Sequence, residues 1–207
     1  MNRELLDKVL EFDFQSLFKK KGYAFFTKGD FNLNIIGVRS KEIDQIRDEF
    51  NDILIVLYKN NRGDWTNFIC SVTTDPSLYY LKNPMNKEGT AILVPNQYRG
   101  AFKLGLHKGK YEALVQAKAL KVYRDKNRDS ILDYNPSDIV EQENIGINIH
   151  GPYKDVVLEN IGKYSAGCTV FNNYQMYRDF INLCKQSSKI YGNSFTYTLL
   201  KEEDLSI

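Results

Sequence analysis

A change in hydrophobic pattern at residue 22 limits the folds that this chain can adopt. Residues 3–21 carry apolar side chains at the three- and four-residue spacing of an amphipathic helix, and three lysines precede Gly22, which favours a helix end. Beyond Gly22 the apolar segments are short and are separated by Gly, Pro, Asn and Asp, which predicts strands joined by turns. The pattern therefore predicts a mostly β (α+β) chain that begins with one helix.

The predicted strands account for much of the chain after residue 22. Residues 60–64 separate two of them and predict a hairpin loop, because Asn and Gly tolerate positive φ angles. Residues 43–50 fit one short helix or a loop, and residues 174–189 have helical spacing. With 14 Tyr and 12 Phe, the composition suits a sheet better than a helical bundle. The strands are predicted at residues 24–26, 31–38, 52–58, 65–72, 90–94, 101–106, 118–123, 145–150 and 194–200.

Length and charge indicate one domain with a mixed surface. At 207 residues the chain fits a single core, so residues 1–22 are predicted to pack on a domain of residues 23–207, in preference to binding a membrane or a partner. Lys and Arg total 28 against 26 for Asp and Glu, a balance that argues against a nucleic-acid partner. No segment approaches the roughly 18 consecutive apolar residues of a membrane helix. Nothing in the sequence indicates an oligomeric state.

The cysteines and the N-terminal segment indicate the cellular compartment in which the protein is made. Cys70, Cys168 and Cys184 are odd in number and widely spaced, which fits neither a disulfide framework nor a thiolate metal site. Residues 1–21 are charged throughout and hold no apolar run of signal-peptide length. We therefore expect synthesis in the cytoplasm, with a separate route of delivery if the substrate lies outside the membrane.

One histidine and one cysteine stand in a context that suits nucleophilic catalysis. Eighteen positions separate His150 from Cys168, and the Gly and Pro residues between them allow the chain to turn and return. A thiol needs a base to become a nucleophile near neutral pH. The small residues Ser165, Ala166 and Gly167 leave the backbone before the cysteine uncrowded, so that amides there are candidate donors to an oxyanion. The spacing permits a Cys-His pair.

His150-Gly151 together with residues 165–172 (Ser-Ala-Gly-Cys-Thr-Val-Phe-Asn) resembles the active-site signature of the L,D-transpeptidase (YkuD-type) catalytic domain. The resemblance covers roughly residues 30–200, and its specific part is the His/Cys portion. It implies a mixed β-sandwich or barrel with one helix after the cysteine. It also implies that Cys168 attacks a peptide carbonyl of peptidoglycan, that His150 takes and returns the proton, and that backbone groups of Gly151 and Gly167 assist, with no cofactor required.

Two positions depart from that family and affect the substrate contacts. Ala166 stands where the family has a second histidine, and Val170 stands where it commonly has an arginine. Arg99 is our candidate for the missing cation, since a guanidinium grips a carboxylate with two hydrogen bonds. The neighbouring Tyr98, Ser165 beside the cysteine, and His107 in a glycine-flanked loop complete the predicted substrate contacts. The competing interpretations are an exposed arginine in a turn and a solvated loop histidine.

Residues 125–133 form a second motif, with oxygen-bearing side chains at alternate positions as in a calcium loop. The predicted ligands of a structural calcium ion are Asp125, Asn127, Asp129 and Asp133. The motif lacks the usual glycine at its sixth position and the usual glutamate at its twelfth. An Asx-rich turn without metal is the alternative interpretation.

The sequence leaves several functions open. A peptidoglycan peptidase resembling a phage endolysin is the leading expectation, and a cross-linking L,D-transpeptidase or a non-catalytic wall- or particle-binding module on the same fold is the alternative. A zinc peptidase would need three ligands and an open position for water. Only His107, His150 and a carboxylate or Cys168 are available for it, because the chain has two histidines and lacks an HExxH motif.

Overall fold

The computed structural model describes residues 2–41 and 48–206, and within these ranges the chain is mostly β, as predicted. The helices are α1 (Arg3–Glu11), α2 (Phe14–Lys21), α3 (Leu78–Lys82) and α4 (Tyr174–Tyr191). The strands are β1 (Asn34–Arg39), β2 (Asp52–Lys59), β3 (Trp65–Thr73), β4 (Thr90–Leu93), β5 (Asn96–His107), β6 (Tyr111–Gln116), β7 (Leu120–Asp125), β8 (Ile139–Gln142), β9 (Ile149–His150), β10 (Thr169–Phe171) and β11 (Phe195–Lys201).

Eight strands close into a barrel in the order β1-β11-β5-β6-β9-β10-β3-β2, and β4-β7-β8 form a separate sheet. The β1–β11 and β9–β10 pairs are parallel, and the other barrel pairs are antiparallel. Helix α4 buries Phe180, Ile181 and Cys184 in the main core, where the ring of Phe171 lies 5.0 Å from that of Phe180. The barrel wall therefore has a packed inner face, and residues that alternate with the core residues point away from it.

The N-terminal segment contains two helices where the sequence predicts one. Asp13 interrupts the pattern, because its side chain accepts hydrogen bonds from the backbone amide and the hydroxyl of Ser16 and so begins α2. Both helices are amphipathic and bury side chains such as Leu5 and Phe18 in a second hydrophobic cluster with Ile36 and other residues of β1, β2 and β11. This segment covers one outer face of the barrel.

Most of the predicted strands are confirmed, with bounds that differ by several residues. β2, β3 and the loop at residues 60–64 form the expected hairpin, in which Lys59 pairs with Trp65. The strand predicted at residues 24–26 is wrong, because amide side chains of Asn34 and Gln97 bond its backbone in place of a ladder. Of residues 145–150 only the last two form a strand, and β6, β8, β10 and α3 were not predicted. The prediction for residues 43–50 falls largely outside the described residues.

A buried ion network joins the barrel to the loop before α3. Arg39, at the end of β1, donates to the carbonyls of Leu93 and Thr74, and its Nε lies 2.8 Å from Oδ1 of Asp75. Asp52 accepts hydrogen bonds from the backbone amide and hydroxyl of Thr74. Burial and the nearby Asp52 raise the pKa of Asp75 to about 7, although Arg39 opposes the shift. The network fixes the backbone of residues 74–75.

Candidate active site

The parallel pair β9–β10 brings the predicted nucleophile and base to one face of the barrel wall. His150 is in register with Val170, and the backbone amide of Asn148 donates to Sγ of Cys168 at 3.4 Å. Ile149 belongs to the main core, so Asn148 and His150 alternate to the opposite face. Cys168 and Val170 form a separate small hydrophobic cluster on that face with Phe50 and Ile161. The loop between His150 and Cys168 thus leads the chain back to pair with β9.

The thiol of Cys168 occupies a partly polar position at a cavity. Its side chain is 7% exposed, and Sγ lies 3.5 Å from the carbonyl of Gly146. Burial raises the pKa of this thiol to about 11, against the lowering effects of the Asn148 amide and the Lys108 ammonium. Cys168 also lines a cavity of about 340 Å³. The resting residue is therefore a neutral thiol with access to a cavity.

His150 is a buried, neutral imidazole. Burial and the neighbouring His107 lower its pKa to about 3. Its Nδ1 lies 3.2 Å from the carbonyl of Gly151 and 3.2 Å from the hydroxyl of Tyr111. Because a carbonyl only accepts, we assign the ring proton to Nδ1, which leaves the lone pair on Nε2. Nε2 is buried and has no hydrogen bond of ordinary geometry in the described part of the chain, although an interaction of the ring with the backbone of Tyr164 raises the pKa of His150 slightly against the effect of burial.

His107 does not lie in a solvated loop, as one interpretation of the sequence held. It ends β5, is 5% exposed, and its ring stacks on that of His150 with 4.0 Å between centroids. The amide of Gln116 donates to Oδ1 of Asn148, which orients Nδ2 of Asn148 as donor to Nδ1 of His107. The ring proton of His107 therefore lies on Nε2, and burial lowers the pKa of this imidazole to about 4. Asn148 is a site residue that the sequence reasoning missed.

His107 lies at the cavity, and His150 lies behind the cavity lining. His107 lines the cavity together with Cys168, whereas His150 is 1% exposed and is not among the lining residues. The Nε2 proton of His107 is a neutral hydrogen-bond donor for a group that enters the cavity, in the way that a neutral imidazole polarises a carbonyl.

The loop that carries the cysteine is held by its small residues. Gly167 has φ +118°, and a Cβ there would lie 2.3 Å from the carbonyl oxygen of Ala91. Its amide donates to Oγ of Ser165, and that Oγ lies 2.8 Å from the carbonyls of Asp75 and Cys168. Ser165 is fully buried and connects the cysteine loop to the ion network. The Gly167 amide has a partner within its own loop, so its role toward an oxyanion stays a prediction.

Position 151 has no room for a side chain, because Tyr177 lies in close contact with it. A Cβ there would lie 2.5 Å from the ring of Tyr177 on α4. The carbonyl oxygen of Gly151 is the acceptor for Nδ1 of His150 described above. This glycine therefore allows the helix to approach the base directly and sets the orientation of the imidazole.

Arg99 and Tyr98 lie away from the cysteine cavity. Arg99 is in strand β5 and not in a turn, and it lines a separate cavity of about 460 Å³ with Lys118, whose Nζ donates to its carbonyl. Tyr98 is buried in the main core, and its hydroxyl lies near the carbonyls of Val94 and Lys121. The structure therefore does not bring either residue to Cys168, because β5 carries them past the site.

The loop at residues 125–133 has the hydrogen bonds of Asx turns. Asp129 and Asn127 each accept from the amide two residues later, and Nδ2 of Asn127 donates to Asp133. One oxygen of Asp125 accepts from the amide of Asp133, and the other is buried without a partner. Within residues 2–41 and 48–206, no group of three His, Cys, Asp or Glu side chains is placed to hold a metal ion. The calcium site stays a prediction.

A groove extends from the cysteine cavity across the small sheet. A second cavity of about 700 Å³ lies over β4, β7 and β8, and Met85, Ile145 and Ala166 line both cavities. Ala166 thus leaves space at the position where the resembled family has a histidine. Polar residues, with Arg124 among them, line the far part of this groove.

The described residues include no helix that is long and apolar enough to cross a membrane. No protein-family model, curated protein or solved structure matches this chain. The class of the protein therefore rests on the geometry of the site and on the resemblance of its short motif.

We predict selective, pH-dependent alkylation of one cysteine. Iodoacetamide is expected to modify Cys168, because Cys70 and Cys184 lie in the apolar core with thiol pKa values held well above the usual range by burial. Its rate should rise about tenfold per pH unit from pH 7 to 10, since the thiolate population grows toward a pKa of about 11. Peptide mapping gives the site. A rate that is constant over this range would instead indicate a resting thiolate-imidazolium pair.

Proposed function

We propose that this chain is a cysteine-dependent acyl-transfer enzyme of the L,D-transpeptidase type that acts on peptidoglycan stem peptides, with water as the acceptor. The observation that carries the proposal is the placement of Cys168 at the cavity, with two neutral imidazoles on the same face of the barrel wall. The resemblance of the His/Cys motif supplies the substrate class. Because peptidoglycan lies outside the membrane, this function requires that the protein reach the cell wall.

The first half-reaction forms a thioester. Sγ of Cys168 attacks the carbonyl carbon of a peptide bond, and its proton moves to Nε2 of His150. The carbonyl oxygen becomes an oxyanion, which the Nε2 proton of His107 stabilises from the cavity wall. The carbon-nitrogen bond then breaks, and the leaving amine takes the proton from His150. The acyl group remains on sulfur.

The second half-reaction releases the acyl group. Water attacks the thioester carbonyl and gives a proton to His150, which returns it to the departing sulfur of Cys168. An amine in place of water would give a cross-link, which is the transpeptidase alternative. The raised pKa of the thiol and the lowered pKa of His150 disfavour a resting thiolate-imidazolium pair, so the proposal requires the proton to move during the attack and not before it.

One observation favours a second candidate function, a non-catalytic binding module. His150 is not among the residues that line the cavity of Cys168, and a neutral thiol at rest is a weak nucleophile. A binding module would retain wall fragments in its groove without changing them. The two functions differ in whether products appear.

Product analysis with wall fragments tests the proposal. Purified muropeptides are incubated with the protein in water enriched in oxygen-18 and followed by mass spectrometry. We expect shortened peptides with one heavy oxygen in the new carboxylate, and no products from Cys168→Ala. Unlabelled, cross-linked dimers would identify the transpeptidase. Muropeptides that are bound but unchanged would contradict both enzymes and identify the binding module.

A further inference from the structure

The small sheet presents a buried arginine to the groove. Ala91 pairs with Arg124 and Leu93 pairs with Val122, so these four side chains share one sheet face. Leu93 and Val122 extend that face into the main core. At its other end the face is uncovered, and Arg124 and Ala91 line the 700 Å³ cavity. An apolar face therefore ends in a guanidinium where the groove opens.

Within residues 2–41 and 48–206, the guanidinium of Arg124 has only neutral hydrogen-bond partners. Arg124 is 5% exposed and donates to the carbonyl of Gly89 at 2.9 Å and to the side-chain oxygen of Gln142. Its Nε is enclosed and has no partner among these described residues. Among the described residues, no carboxylate lies within ion-pairing distance of it. Burial lowers the pKa of this arginine, and only a more distant attraction to Glu88 opposes that effect.

A second buried arginine, Arg39, has the carboxylate partner that Arg124 lacks among the described residues. Arg39 has a similarly small exposed fraction but lies deeper in the protein, and its guanidinium has the carboxylate of Asp75 at 2.8 Å. A buried charge without a counter-ion is costly, and an anion that enters with good hydrogen-bond geometry removes that cost. Arginine also holds a carboxylate through two parallel hydrogen bonds. The arrangement at Arg124 therefore suits an incoming carboxylate.

The groove connects this position to the nucleophile. A Cβ on Gly167 would lie 2.3 Å from the carbonyl of Ala91, the residue paired with Arg124, so the cysteine loop contacts the strand beside the arginine. The two cavities also share Met85, Ile145 and Ala166. A ligand held at Arg124 can thus extend along the groove to the cavity of Cys168.

We propose that Arg124 binds a carboxylate of the acyl-donor peptide and so places that peptide along the groove. The exposed Glu141 and Glu143 also line the groove and disfavour a ligand that carries negative charge alone, so a peptide with both an ammonium and a carboxylate fits better than an inorganic anion. The identity of the peptide rests on the proposed function, whereas the anion site rests on Arg124.

Calorimetric titration of the Cys168→Ala protein tests the subsite without turnover. The probes are the synthetic stem tetrapeptide L-Ala-γ-D-Glu-L-Lys-D-Ala and its analogue with both carboxylates converted to carboxamides. We expect amidation to weaken binding at least about tenfold, because a charge-assisted pair is lost. Arg124→Gln should weaken the acid form by a similar factor and should bind acid and amide alike.

Lys103→Gln is the matched control, since Lys103 is exposed on β5 and is not among the residues that line either cavity. It should bind both probes as the parent does. If Arg124→Gln does not fold, the comparison of acid and amide on the parent decides by itself. Equal binding of the two probes, or no binding of the acid form, overturns the subsite.

The two proposals fail in different ways. Arg124-dependent binding without any released or cross-linked product would leave the subsite standing and refute acyl transfer. Cys168-dependent turnover that is unaffected by Arg124→Gln and by amidation would leave acyl transfer standing and refute the subsite.

Discussion

Cys168→Ala is expected to lower the turnover of muropeptides by about a thousandfold or more, because in the proposed mechanism the acyl intermediate forms on the sulfur of this residue. The fold should be kept. Among the residues that the structure describes, Sγ of Cys168 has two hydrogen-bonding contacts, with the amide of Asn148 and the carbonyl of Gly146. Initial rates measured by chromatography of the products, together with thermal melting, give the comparison.

Cys184→Ala and Cys70→Ala are the matched controls for the nucleophile. Both cysteines are buried in the main core, and neither is among the residues that line the cavity. Each change should lower the melting temperature and leave the rate of the folded protein within about twofold. A Cys168→Ala protein as active as these controls would show that the chemistry occurs elsewhere.

Gly167→Ala is expected to lower turnover at least about a hundredfold. Its backbone lies at φ +118°, where a side chain is strained by about 1–3 kcal/mol, and the new Cβ would meet a backbone oxygen of Ala91 at 2.3 Å. That oxygen belongs to a paired strand and cannot move aside, so the loop must shift and carry Cys168 with it. Turnover and melting temperature are both measured.

Gly162→Ala provides the matched control in the same loop. Gly162 also has a positive φ, +52°, but a Cβ there has nothing within 4 Å. It should lose about 1 kcal/mol of stability and keep its turnover. Equal activity of the two variants would mean that contact with Ala91 does not position the nucleophile.

Local patterns predicted the parts of the fold that local physics controls. The hairpin at residues 60–64 joins two strands of eight and nine residues, and Asn60 accepts hydrogen bonds from two amides within the loop. The interruption of the N-terminal helix was equally local, since Asp13 and Ser16 form a cap that the hydrophobic spacing obscured.

Long-range pairing determined what the sequence could not reveal. β9 and β10 have two and three residues, too few for any periodic signal, and they form only by pairing across the barrel. The motif indicated His150 and Cys168, whereas the position of His107 depends on the register of β5 with β6. Asn148 was accessible to reasoning, because it lies two residues before His150 and so shares its face of the strand.

The same dependence on long-range pairing explains why the sequence indicated Arg99 and not Arg124 as a ligand-binding arginine. Arg99 was chosen for its neighbours in sequence, but β5 runs past the site before it reaches His107. The position of Arg124 at the groove depends on the pairing of β4, β7 and β8 into a sheet whose apolar face continues into the groove. Local sequence patterns do not indicate this pairing.

Intact-mass spectrometry of the protein quenched in acid during turnover tests the central claim most directly. The proposed chemistry predicts a protein species heavier by one acyl fragment of the stem peptide, with peptide mapping that places the fragment on Cys168 and its absence from Cys168→Ala. Turnover that proceeds with no such adduct, or with the adduct on another residue, would contradict Cys168 as the nucleophile.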